Sequence, residues 1–97
     1  MPAYFLVDLR EVKDAAKLAE YRSRIRPVVE RFGGRYLAAG GQCDVREGSY
    51  QPVFLVMIEF PTIEDGRRWY DSKEYRELKE MRLAASVSNG FFFAGLE

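Results

Sequence analysis

The chain has 97 residues, with 15 basic and 15 acidic side chains, no histidine and one cysteine. Zero formal charge speaks against counterion-releasing contact with nucleic acid or an anionic membrane surface. The missing histidine excludes a Ser-His-Asp hydrolase and removes the commonest metal ligand, and a lone cysteine forms neither an internal disulfide nor a thiolate cluster. The length fits a single domain over 1–97, and 47% hydrophobic with 31% charged residues is a globular mixture. No run approaches the roughly 20 apolar residues of a membrane span. Met1-Pro2-Ala3 lacks the opening of a secretory signal, so a cytoplasmic protein is expected.

Tyr4 to Leu9 alternates as a strand, with Phe5, Val7 and Leu9 on one face and Tyr4, Leu6 and Asp8 on the other. Asp14 suits the N-cap of a first helix, whose apolar stripe is Leu18, Tyr21, Ile25, Val28, Val29 and Phe32. Pro27 is expected to bend or interrupt that helix, and Gly33-Gly34 to end it. Arg35 to Ala39 and Cys43 to Glu47 read as a hairpin around Gly40-Gly41. Val53 to Phe60 is the strongest strand. Thr62 then caps a helical segment carrying Ile63, Arg67 and Tyr70, with Asp65 in a weaker capping box. Asp71-Ser72 interrupts it, and Ser72 caps a continuation with Tyr75, Leu78, Lys79, Arg82 and Leu83. Gly90 precedes a last strand, Phe91 to Ala94.

The order β-α-β-β-α-β is the split pattern of an α+β, ferredoxin-like sandwich, an antiparallel sheet with two helical regions on one face. Helices hide one face of such a sheet. Strand 53–60 is apolar on both, with Phe54, Val56, Ile58 and Phe60 against Val53, Leu55 and Met57, and Phe91, Phe92 and Phe93 cannot all point at the helices. A second copy packed face to face is the simplest cover, so a homodimer is expected.

Phe32-Gly33-Gly34-Arg35-Tyr36-Leu37, Gly40-Gly41, Glu47-Gly48 with Pro52, Ile58-Glu59-Phe60-Pro61, Trp69-Tyr70-Asp71-Ser72, Glu74-Tyr75 and Arg82 carry a resemblance over essentially the whole chain. Together they resemble the domain of unknown function 1330 family, within the dimeric α/β-barrel superfamily. The resemblance implies a ferredoxin-like subunit in a homodimer. It brings no settled activity, because related barrels include cofactor-independent oxygenases, lactone isomerases and haem-dependent enzymes. Ala39 stands where the family usually places Arg, and Lys73 where Pro is common.

Glu59, in an otherwise apolar strand, is the candidate catalytic acid or base. Its other reading is a structural pair with Arg35, Arg82 or a backbone donor. Arg35 offers a planar donor fork to a ligand carboxylate, or to Glu59 itself. Tyr21, Trp69 and Tyr70 either wall a pocket or belong to the core. Cys43 lacks a base and reads as a small core or surface residue. Arg22, Arg24 and Arg26 read as a solvated helix face balanced by Glu20 and Glu30.

The expected function is binding, or slow conversion, of a small organic molecule in a pocket between sheet and helices, with no metal and no cofactor. In it Arg35 orients an oxygen, Glu59 handles a proton, and Tyr21, Trp69 and Tyr70 form the wall. The alternatives are a non-catalytic dimeric interaction module and a tautomerase-like enzyme using Pro2.

Overall fold

Alternating apolar side chains make Ala3–Val12 a strand, β1, and its buried members Ala3, Phe5, Val7 and Leu9 share one face. The computed structural model describes residues 1–96. Helix α1 (Ala15–Arg31) starts where the Asp14 carboxylate accepts from the Lys17 backbone N–H at 3.0 Å. It ends at Gly33, whose φ of 82° is left-handed. Its buried stripe is Leu18, Tyr21, Ile25 and Val29.

α1 runs unbroken through Pro27, contrary to the expected interruption. Pro27 and the Ser23 residue whose carbonyl it leaves without a donor both lie on the exposed side of the helix, so that carbonyl is not sealed in the core.

β2 (Arg35–Ala39) pairs with β3 (Leu55–Phe60), not with a neighbouring hairpin strand. Cys43–Glu47, expected as that strand, is exposed loop. It offers only Cys43 and Val45 as apolar residues, whereas β3 offers the longer apolar row Val56, Ile58 and Phe60. β3 begins two residues later than expected, because the Val53 and Phe54 N–H groups are bound by the Asp8 carboxylate. That carboxylate also accepts from Tyr50 at 2.5 Å and Arg10 at 2.6 Å, so it ties the returning end of the 40–54 loop to β1. Burial alone would raise the Asp8 pKa, but these four hydrogen bonds outweigh it and hold the carboxyl far below its usual range.

α2 (Ile63–Tyr70) is capped by Thr62 and α3 (Lys73–Ala85) by Ser72, each hydroxyl accepting a backbone N–H at 3.1 Å. α3 passes directly into β4 (Ser86–Ala94), which starts before the expected Phe91 because β1 supplies a long edge to pair with. The sheet order β2-β3-β1-β4, antiparallel throughout, with all three helices over one face, is ferredoxin-like.

The helices differ in how closely they approach the sheet. At Gly66 of α2 an added Cβ would lie 2.5 Å from the Phe92 ring, so only glycine allows that contact. α1 packs mainly on α3 and stands off the strands. No helix of the described residues covers the other face, where the end of the 40–54 loop reaches only the Asp8 corner. Tyr4, Leu6, Leu55, Met57, Phe91 and Phe93 lie there in register, with Phe91 52% and Phe93 41% exposed. The molecule is a slab measuring 38 × 36 × 17 Å.

Candidate functional site

Because α1 stands off the sheet, a cavity of about 420 Å³ opens between them. Its inner walls are Phe5, Val7 and Leu9 of β1 and Leu18, Tyr21 and Ile25 of α1. These are the inward residues of a strand with period two and a helix with period 3.6, brought face to face. Phe54 and Tyr36 form the outer wall, with Arg22 over the Phe54 ring at 5.3 Å and Arg26 over the Tyr36 ring at 5.4 Å from ring centre.

The polar end of the cavity is a chain of three buried side chains. The Tyr21 and Tyr75 hydroxyls are 2.9 Å apart, and Arg82 donates from Nε to the Tyr75 oxygen at 3.3 Å. Arg82 also donates from Nη1 to Ser88 Oγ at 3.0 Å. Its position follows from helical spacing: Tyr75, Leu78 and Arg82 share the stripe of α3 that faces the core. Arg82 is only 6% exposed, and no carboxylate of the described residues lies within 4.0 Å of it. Burial pushes the Tyr21 hydroxyl far above its ordinary pKa and raises that of Tyr36 to about 12, so both remain protonated donors at neutral pH.

The expected site residues divide between the two faces of the sheet. Tyr21 lines the cavity. Arg35 and Glu59 are cross-strand partners on the open face, joined from Nε to Oε1 at 2.8 Å, and neither lines the cavity. Trp69 is 1% exposed inside an aromatic cluster, stacked on Tyr75 at 4.2 Å, and its Nε1–H is buried without an acceptor. Tyr70 lies beside a second hollow of about 480 Å³ that also reaches Arg82. Pro2 lines neither. Cys43 is exposed in the loop. Arg24 pairs with Glu20 and Glu77, as a solvated helix face would, but Arg22 and Arg26 turn to the cavity.

Arg82 and Tyr75 are the site residues that sequence reasoning missed. The available signal was a charged residue recurring on an apolar helical stripe. Among the described residues, no group of three His, Cys, Asp or Glu side chains is arranged to hold a metal ion, and no helix is long and apolar enough to cross a membrane.

Solved structures share this architecture. The RPA0582 protein of unknown function from Rhodopseudomonas palustris matches with a TM-score of 0.75 at 21% identity, over 99% of this chain and 83% of its own. SnoaB, a cofactor-independent oxygenase from Streptomyces nogalater, matches at 0.69 and 14%, over 99% of this chain and 94% of its own. A dimeric ferredoxin-like protein of unknown function from Thermobifida fusca matches at 0.58 and 10%, over 97% of this chain and 91% of its own. At these identities the likeness defines the class, a ferredoxin-like α+β fold. No curated protein matches the chain. The family model for a domain of unknown function (DUF1330) matches residues 2–96, and the chain belongs to that family.

Proposed function

We propose that the protein is a homodimer in which each subunit binds a small organic molecule in the cavity between α1 and the sheet. The observation that carries the reading is that cavity: about 420 Å³, walled by aliphatic and aromatic side chains, with a Tyr–Tyr–Arg chain at one end. Small-molecule sites have this makeup, apolar walls with a few converging polar groups, and volumes of about 300–1,000 Å³.

The dimer reading rests on the open face. Phe91, Phe93, Met57, Leu55, Leu6 and Tyr4 form a continuous apolar surface, and a second sheet laid on it would bury them all. Arg35 and Glu59, on β2 and β3 of this same face, serve in our reading as a polar pair at the rim of that interface.

A second reading is conversion of the bound molecule without a metal or cofactor. The buried tyrosines and arginine favour it, as they form a row of donors able to stabilise negative charge on a substrate oxygen. SnoaB, a cofactor-independent oxygenase, shares the fold. In this reading Tyr21 and Arg82 carry the chemistry, since Glu59 and Arg35 stand on the far side of the sheet.

Native mass spectrometry of freshly purified protein tests both parts. The expected spectrum shows a species of twice the 11.2 kDa chain carrying a small-molecule adduct. A bare monomer at micromolar concentration, with no adduct and no binding from a fragment set, refutes the proposal. Met57→Lys places a charge in the middle of the open face and is expected to leave a folded monomer by sedimentation.

A further inference from the structure

The cavity has a one-sided charge. Arg22, Arg26 and Arg82 line it, and no aspartate or glutamate of the described residues does. α1 is not short of acids, but Glu20 pairs with Arg24, on the side away from the cavity. Arg22 and Arg26 instead lie over Phe54 and Tyr36 at the mouth. Inside, the Arg82 guanidinium is largely withdrawn from water with no carboxylate within 4.0 Å among the described residues, and its hydrogen bonds run only to the Tyr75 and Ser88 hydroxyls. A buried cation lacking a partner is costly to the fold. An anion in the cavity would remove that cost, whereas a neutral ligand of the same shape would leave it.

Resting on the reading that this cavity binds a small organic molecule, we propose that the ligand is an apolar monoanion, a carboxylate or enolate on an aromatic or aliphatic body, whose charged oxygen is held by Arg82 and Tyr21. The hydrogen-bond chain gives the donors their direction. Arginine only donates, so the Tyr75 oxygen accepts from Arg82 Nε. In the proposed complex the Tyr75 O–H donates to the Tyr21 oxygen, 2.9 Å away, which leaves the Tyr21 O–H to point at the ligand. Each donor is polarised by the one before it, and the last one meets the anion. Phe5, Val7, Leu18 and Ile25 take the hydrocarbon body. Arg22 and Arg26 at the mouth attract the anion and set its approach.

The test is a calorimetric comparison of 2-naphthoate with 2-naphthamide, which share shape and differ in charge. Naphthoate is expected to bind roughly ten- to a hundredfold tighter. In Arg82→Met that preference is expected to fall to within about threefold, with amide binding retained. Tyr21→Phe and the exposed-site double variant Arg22→Gln/Arg26→Gln leave the core packing in place. Each is expected to reduce the preference several-fold, the double variant with a weaker salt dependence. Equal binding of acid and amide to the wild type leaves the cavity reading standing and overturns the anion. A preference unchanged in Tyr21→Phe and in Arg22→Gln/Arg26→Gln also overturns it. Binding of neither probe at millimolar concentration overturns both readings.

Discussion

Two arginines on opposite faces of one sheet have received opposite treatment. Arg35 stands on the open face with its side chain 72% exposed, and it has a carboxylate, Glu59, at 2.8 Å. Arg82 lies under the helices at 6% exposure and has none among the described residues. For stability alone the allocation is backwards: an exposed pair contributes little, while a buried cation needs its partner. The helix-covered face therefore carries a group that the fold tolerates rather than uses, as binding sites do. The open face carries apolar area that an isolated subunit leaves wet.

The largest expected effect separates the two faces directly. Phe60 is fully buried under the helices, and Phe60→Ala is expected to cost about 3–5 kcal/mol in urea unfolding. Phe93→Ala on the open face should cost under about 1 kcal/mol when dilute, and more at concentrations where the proposed dimer forms. A concentration-independent loss in Phe93→Ala would break the contrast. Next comes Asp8→Asn, which weakens four hydrogen bonds to one carboxylate and is expected to cost about 2 kcal/mol. The folded pKa of Asp8 is depressed, so its contribution is complete above the unfolded value near 3.8 and is lost as pH falls below it. Wild-type urea midpoints should therefore hold steady above about pH 5 and drop progressively as pH falls from about 5 toward 2, and those of Asp8→Asn should drop less. Smaller still, Arg82→Met is expected to stay within about 1 kcal/mol of wild type or to exceed it, because an unpartnered charge is replaced by an apolar chain. A large loss would show Arg82 to be structural. Smallest is Glu59→Gln, expected to change stability by under about 0.5 kcal/mol, read by a double-mutant cycle with Arg35→Gln.

Legibility in the sequence followed the range of the interactions. The caps at Asp14, Thr62 and Ser72, the α1 stripe and the β1 alternation are set by neighbours within a few residues, and all appear where their residue types place them. The partner of β2 did not. Gly40-Gly41 has the look of a local turn, but what decides the pairing is the apolar edge of β3 together with Asp8. β4 was legible from Phe91 only, since Ser86 to Gly90 have no apolar rhythm and become strand by pairing with β1. In the candidate site, Tyr21 could be placed from its stripe. Glu59 lies between Ile58 and Phe60, and the same alternation that buries Phe60 turns Glu59 outward. Its position in an apolar strand was a weaker guide than its parity. Arg82 was visible as a position and not as a site, because a helical stripe shows that a side chain goes inward without showing what awaits it there.

The cavity's polar lining has a consequence for anyone titrating it. Tyr21 and Tyr36 keep their protons through the neutral range, arginine does so throughout, and the described lining holds no carboxylate. From mildly acidic to mildly alkaline solution the cavity is thus a fixed electrostatic background. A bend in an affinity-against-pH curve there belongs to the guest molecule and reports its ionisation constant, with the protein acting as a silent reference.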